Sequence, residues 1–194
     1  YVTMPKRVGK EIVNGNVCYK FVRPINIYNQ WYVEGIGQKF AATLLRFSPI
    51  IVIGFLLPGN LSLSLPVSVG AFFLFLFGLI LGLLMSHAFA MLAVYLTFKT
   101  LSEKGSIGIV SAIVNMFGGL FIPLPLLPQA LQDVLKYLPF SFITDLPLRI
   151  YIGNVGVVDG LVLMAIGVVW LIAIIAIGKL LIGGALKKTV VQGG

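Results

Sequence analysis

Between Val67 and Phe98 only Ser68, Ser86, His87 and Thr97 are neither apolar nor glycine. A helix that packs in water keeps a polar face, and this stretch has none, so lipid or protein must surround it on every side. At ~1.5 Å per residue, about 20 residues cross the ~30 Å hydrocarbon core. The run is therefore long enough for one tilted helix and too short for two. The rest of the chain agrees: of 194 residues, 59% are hydrophobic and 10% charged, whereas soluble domains are nearer half apolar and a quarter charged. A soluble single domain is excluded, and membrane spans become the useful unit of organisation.

Three further stretches qualify. Gly160 to Ile182 carries one charge, Lys179, close enough to its end to extend the ammonium into the headgroups. Ile107 to Leu127 is interrupted only by Ser111 and Asn115, and it closes in a run from Pro123 to Pro128 whose missing N–H donors break or kink a helix. Phe40 to Leu57 holds Arg46 and Pro49, with Arg46 near enough to its start to reach the interface. The expectation is an all-α membrane protein with four transmembrane helices, at about 40–57, 67–98, 107–127 and 160–182, preceded by a polar arm over 1–39.

The net charge of +8 could suit a nucleic-acid binder, but the basic residues sit between apolar runs and form no soluble basic face. Membrane topology accounts for them better. Alternating spans put ten basic residues (Lys6, Arg7, Lys10, Lys20, Arg23, Lys39, Lys99, Lys104, Lys187 and Lys188) on one side, and only Lys136 and Arg149 on the other. Cytoplasmic loops carry the excess of Lys and Arg, so both termini are expected in the cytoplasm of a multi-pass cell-membrane protein. The single Cys18 forms no disulfide within the chain. The chain opens on Tyr1 with no signal-peptide pattern, which suggests a piece of a longer protein.

Two polar regions are organised. In the arm, Val8, Ile12 and Val13 stand apart from Lys6, Lys10 and Glu11, giving a short amphipathic helix closed by Asn14-Gly15. It either lies on anionic headgroups or docks a soluble partner. Tyr28, Trp31 and Tyr32 then suit a membrane boundary. On the outer side, Pro128 opens a helix with Leu131, Val134, Leu135 and Leu138 on one face, and Pro139 stops it. Phe140 to Ile152 gives a second apolar piece, expected to break at Pro147 and to finish at Gly153-Asn154. Such a pair fits a re-entrant element, whose freed backbone groups need protein partners.

Catalytic chemistry is sparse. His87 is the only histidine, and adjacent Ser86 points about 100° away on a helix, the wrong geometry for a nucleophile and its base. No span holds a carboxylate, which weakens ion-coupled transport. The phosphate-binding pattern G-x-x-x-x-G-K-[ST] is missing, so any ATP must be hydrolysed by another chain. Gly70, Gly78, Gly82, Ser86 and Ala90 recur at multiples of four along the second span, a line that lets another helix approach closely.

Val22-Arg23-Pro24-Ile25 follows the amphipathic helix and precedes a span. Leu124-Pro125-Leu126-Leu127-Pro128, Tyr137-Leu138-Pro139-Phe140 and Pro147-Leu148-Arg149-Ile150-Tyr151-Ile152-Gly153 precede the last span. In this order the chain, over about Lys6 to Lys188, resembles the permease subunits of type-2 ATP-binding-cassette (ABC) exporters. The resemblance implies a six-span chain of which the last four spans are present. It also implies a coupling helix within Arg7 to Ile25, with Lys10, Glu11, Gly15, Arg23 and Pro24 contacting an ATPase subunit. The outer re-entrant element, 128–153, would be built around Pro125, Pro128, Pro139, Phe140 and Pro147. Gly78, Gly82, Ser86 and Asn115 become candidates for the cavity or dimer face. The implied partners are the ABC ATPase subunit, which holds ATP and Mg, a second permease in a homo- or heterodimer, and the lipid bilayer; nucleic acid is not among them. No cofactor, metal or catalytic residue is expected in this chain, and the substrate class is an amphiphilic small molecule or a lipid. An ion-coupled carrier or channel is the alternative, followed by an intramembrane hydrolase.

Overall fold

The computed structural model describes residues 2–5, 7–17, 26–58 and 64–192, the last four of them for backbone only. The elements in chain order are α1 (Val8–Val13), α2 (Ile27–Leu56), α3 (Val69–Thr100), α4 (Glu103–Phe117), a 3-10 turn (Leu124–Leu126), α5 (Gln129–Leu135), α6 (Asp145–Tyr151) and α7 (Val157–Gln192). No strand occurs among the described residues. Three helices, α2, α3 and α7, are long and apolar enough to cross a membrane.

Local chemistry sets the boundaries. Ser68 caps α3 by accepting from Ala71 N at 3.1 Å, and Leu101 ends it in the left-handed region at φ 52. Ser102 then caps α4 through Gly105 N at 3.2 Å, so a two-residue turn folds α4 back along α3. Asn26 caps α2 by accepting from Asn29 N at 3.1 Å. This helix starts at Ile27, well before the expected Phe40, because Tyr28 and Trp31 are buried against the bundle and do not face headgroups. Trp31 is 0% exposed.

The third expected span also differs. The helix α4 has 15 residues, about 22 Å at ~1.5 Å per residue, and it ends at Phe117, well short of Leu127. The stop is Gly118-Gly119, with Gly119 at φ +80, and it precedes the prolines that the sequence reading made responsible. The last helix is longer than expected, beginning at Val157 and running to Gln192.

The centre of the bundle is α3, against which α1, α2, α4, α6 and α7 all pack. Its small residues admit these neighbours: Ala88, Ala90 and Ala93 are fully buried beside Met85 and Met91. One end of α3 gathers α1, the start of α2 and the α3–α4 turn, while α6, the start of α7 and residues 64–68 lie at the other. Tyr151 Oη donates to Ser64 O at 2.7 Å there.

Candidate functional site

The apolar face of α1 is covered by protein. Val8, Gly9 and Ile12 are buried where α1 meets α3 and α4, and Gly9 approaches so closely that a Cβ would overlap the Glu103 side chain. Of the expected ATPase contacts, Lys10 is exposed and Glu11 half-buried. Gly15 follows at φ +72 in open space, which supplies the left-handed residue that ends the helix. Arg23 and Pro24 lie outside the described residues.

Beyond α4, Pro125 and Pro128 flank exposed turns held by Gln132, whose Nε2 donates to Pro125 O at 3.2 Å and Leu127 O at 2.8 Å. The helix α5 is shorter than expected, and only part of its apolar face is covered: Leu135 is buried, whereas Leu131 and Val134 are 50% and 58% exposed. Pro139 is buried, and the adjoining Phe140 ring stacks on Phe89 of α3 at 5.3 Å and lies 5.6 Å from Phe117 of α4. Pro147 does not break a helix, contrary to the sequence expectation. It sits in the first turn of α6, where a missing N–H costs nothing. Gly153, at φ +81, closes this element as expected.

The small-residue line of α3 is filled from within the chain. A Cβ on Gly78 would meet Met164 and Pro147, and one on Gly82 would stand 2.7 Å from Ile143 O and 2.9 Å from Phe142 O. Asn115 is half-buried on α4, and its backbone carbonyl accepts from Leu120 N and Phe121 N at 3.2 and 3.3 Å.

Ser86 takes part in a polar cluster between α2 and α3. Lys39 Nζ donates to Ser86 Oγ at 2.6 Å, and Ser86 Oγ donates onward to Leu83 O at 3.3 Å. His87 is 1% exposed, with its ring 5.0 Å from Tyr32 and against Gly35, where a Cβ would overlap the imidazole. Neither ring nitrogen makes a well-aligned hydrogen bond among the described residues, although the Trp31 and Tyr32 backbones lie against the ring. Tyr32 Oη donates to Leu84 O at 3.2 Å, clamping the two helices one turn away. No group of three metal-ligating side chains occurs among the described residues.

The model of the ABC-2 family transporter protein matches residues 2–193. The chain belongs to the ABC-2 transporter family. It is a membrane permease component of an ABC transporter, and the family is a transmembrane part and not itself catalytic. Comparison with curated proteins and with solved structures gave no match.

In this ABC-2 permease the sequence reading placed Lys39 in the polar arm. The available signal was periodicity: Tyr28, Trp31, Tyr32, Gly35 and Lys39 follow the helical i, i+3, i+4, i+7 rule and carry the apolar run of α2 upstream. Polar Asn29, Gln30, Glu34 and Gln38 on the remaining surface hid it.

Proposed function

We propose that this chain is one of two permease subunits of an ATP-driven exporter, with a pair of ATPase subunits holding ATP and Mg. It would move an amphiphilic or lipid-like molecule out across the cell membrane. The observation that carries this reading is α1, a short helix buried on one face against α3 and α4 and open on the face bearing Lys10. Force applied there passes into α3, on which the other helices pack. ATPase closure would push α1, tilt the bundle and open a central cavity outward.

Family membership and the basic residues around the α1 end support cytoplasmic termini. On this reading α4 makes most of a fourth crossing and the outer segment completes it. Phe140 meets Phe117 at the level of Phe89, roughly 30 Å down α3 from Val69 at ~1.5 Å per residue. Segment 139–143 is then re-entrant, which explains why it packs on protein with Ser141 and Phe142 buried.

Co-purification tests the proposal. Full-length permease co-expressed with its adjoining genes should retain an ATPase subunit and lose it when Arg7 to Gly15 is replaced by a Gly/Ser linker. Failure to retain any ATPase in the unaltered protein would overturn the exporter.

A further inference from the structure

We propose that the α3–α4 turn, with Leu101 at its tip, is a second docking element for the ATPase subunit and enters an apolar pocket rimmed by carboxylates on that subunit. This surface rests on the exporter reading, in which α1 is the first such element.

Leu101 is the anomaly of the turn. Among the described residues it is the one non-glycine position at positive φ, at 52. Helices commonly end there on glycine, because the left-handed region crowds a Cβ against the carbonyl. Here the position carries a large apolar side chain that is 64% exposed, so burial within the chain does not offset the strain. Strain of this kind gathers at functional sites. The surrounding turn is firmly tied: Leu101 N donates to Thr97 O at 2.9 Å, the Thr100 and Ser106 hydroxyls are 2.9 Å apart, and Ser102 N donates to Thr100 Oγ1 at 3.3 Å. The leucine is thus held outward on a rigid support.

Lipid does not cover it. Exposed Asn29, Gln30, Glu34 and Gln38 make the first turns of α2 polar on their open side, whereas from Phe40 onward the exposed surface is mostly apolar. The hydrocarbon therefore begins near Lys39, and Trp31 lies on the water side of it. The Trp31 ring is 6.4 Å from Phe98 of α3, three residues before Leu101. Helix length agrees: the 32 residues of α3 reach roughly 48 Å, about 18 Å more than the ~30 Å of hydrocarbon.

Charge states the chemistry of the partner. Exposed Lys99 and Lys104 flank Leu101, and Gly9 of α1 lies against the Glu103 side chain, which brings exposed Arg7 and Lys10 to the same end of the bundle. None of these four cations is in an ion pair among the described residues. A second copy docked here by twofold symmetry would set the cations against their own equivalents. A soluble subunit with carboxylates around an apolar pocket complements both the charge and the leucine.

The test is a titration of the fluorescently labelled ATPase subunit encoded by the adjoining genes onto purified full-length permease in maltoside detergent, with thermal unfolding of each permease variant measured alone. Leu101→Gly should melt at the wild-type temperature or higher, since glycine relieves the left-handed strain, and should nevertheless weaken ATPase binding by about tenfold. Leu101→Asn, whose side chain also tolerates that region, should do the same and stands in if the glycine variant does not fold. Lys99→Gln combined with Lys104→Gln should weaken binding by about threefold at low salt and by less at high salt.

Unchanged binding in Leu101→Gly and Leu101→Asn overturns the docking turn, whichever way the melting temperature moves. In a Cys18→Ser background, Leu101→Cys carrying a maleimide photo-crosslinker should join the permease to the ATPase subunit, and a permease–permease product in its place would make the turn a self-contact and overturn the assignment. If the unaltered permease binds no ATPase, the exporter reading and the docking turn fall together. If binding is lost on replacing Arg7 to Gly15 but is untouched by the Leu101 variants, the turn alone falls.

Discussion

Gly37 and Gly82 both lie inside long helices, and their surroundings decide opposite outcomes. Around Gly37 a Cβ meets nothing within 4 Å, so Gly37→Ala should be neutral or stabilise by up to about 1 kcal/mol through helix propensity. At Gly82 the same Cβ meets two backbone carbonyls that cannot swing aside, and Gly82→Ala should cost about 1–3 kcal/mol. Thermal unfolding in detergent reads both, and equal melting temperatures would contradict this packing.

At the scale of elements, α1, the helix proposed to meet the ATPase, is anchored in the bundle. Ile12 is buried while Val13, the next residue, is 44% exposed. Ile12→Asp should place an unpaired carboxylate against α3 and α4, undock α1 and strip the ATPase from the purified complex. Val13→Asp should leave α1 docked and the melting temperature of the permease within about 1 °C, because its side chain already faces out. In the outer element, Phe142 is 0% exposed, and Phe142→Ala should cost about 3–5 kcal/mol. Leu131→Ser, at a half-exposed site, should cost far less in the same unfolding assay. These elements were only partly legible in advance. The amphipathic spacing of α1 and the glycine closing α6 are local features; the glycine stands in the structure, and the α1 face stands at Val8 and Ile12 but not at Val13. Pro147 was misread as a break because a proline in a first turn and a proline between two helices look alike in sequence. What separates them is where α6 begins, after the Thr144 junction, with Leu146 and Pro147 buried and Gly78 facing the proline ring.

For the whole molecule, the proposed topology predicts which positions a membrane-impermeant thiol reagent reaches in intact cells. In a Cys18→Ser background, cysteine placed at Asn154 should label from outside, and cysteine placed at Lys10 or Lys188 only after permeabilisation. Labelling of Lys188→Cys from outside would mean that α4 and the outer segment make no crossing. By itself the sequence determined that the chain is helical and membrane-embedded, that Val67 to Phe98 is one span, and where charge gathers, because these depend on composition and on short-range periodicity. The tertiary structure decided that α2 extends back to Ile27, that α4 stops at Gly118, and that the glycine line of α3 is filled by α6, α7 and the Phe142–Ile143 backbone. It also moved Lys39 from a polar arm to a site beside Ser86 and His87. A single lysine before an apolar run is read from sequence as a flank, and only the helix packed across from it reveals that it bonds Ser86.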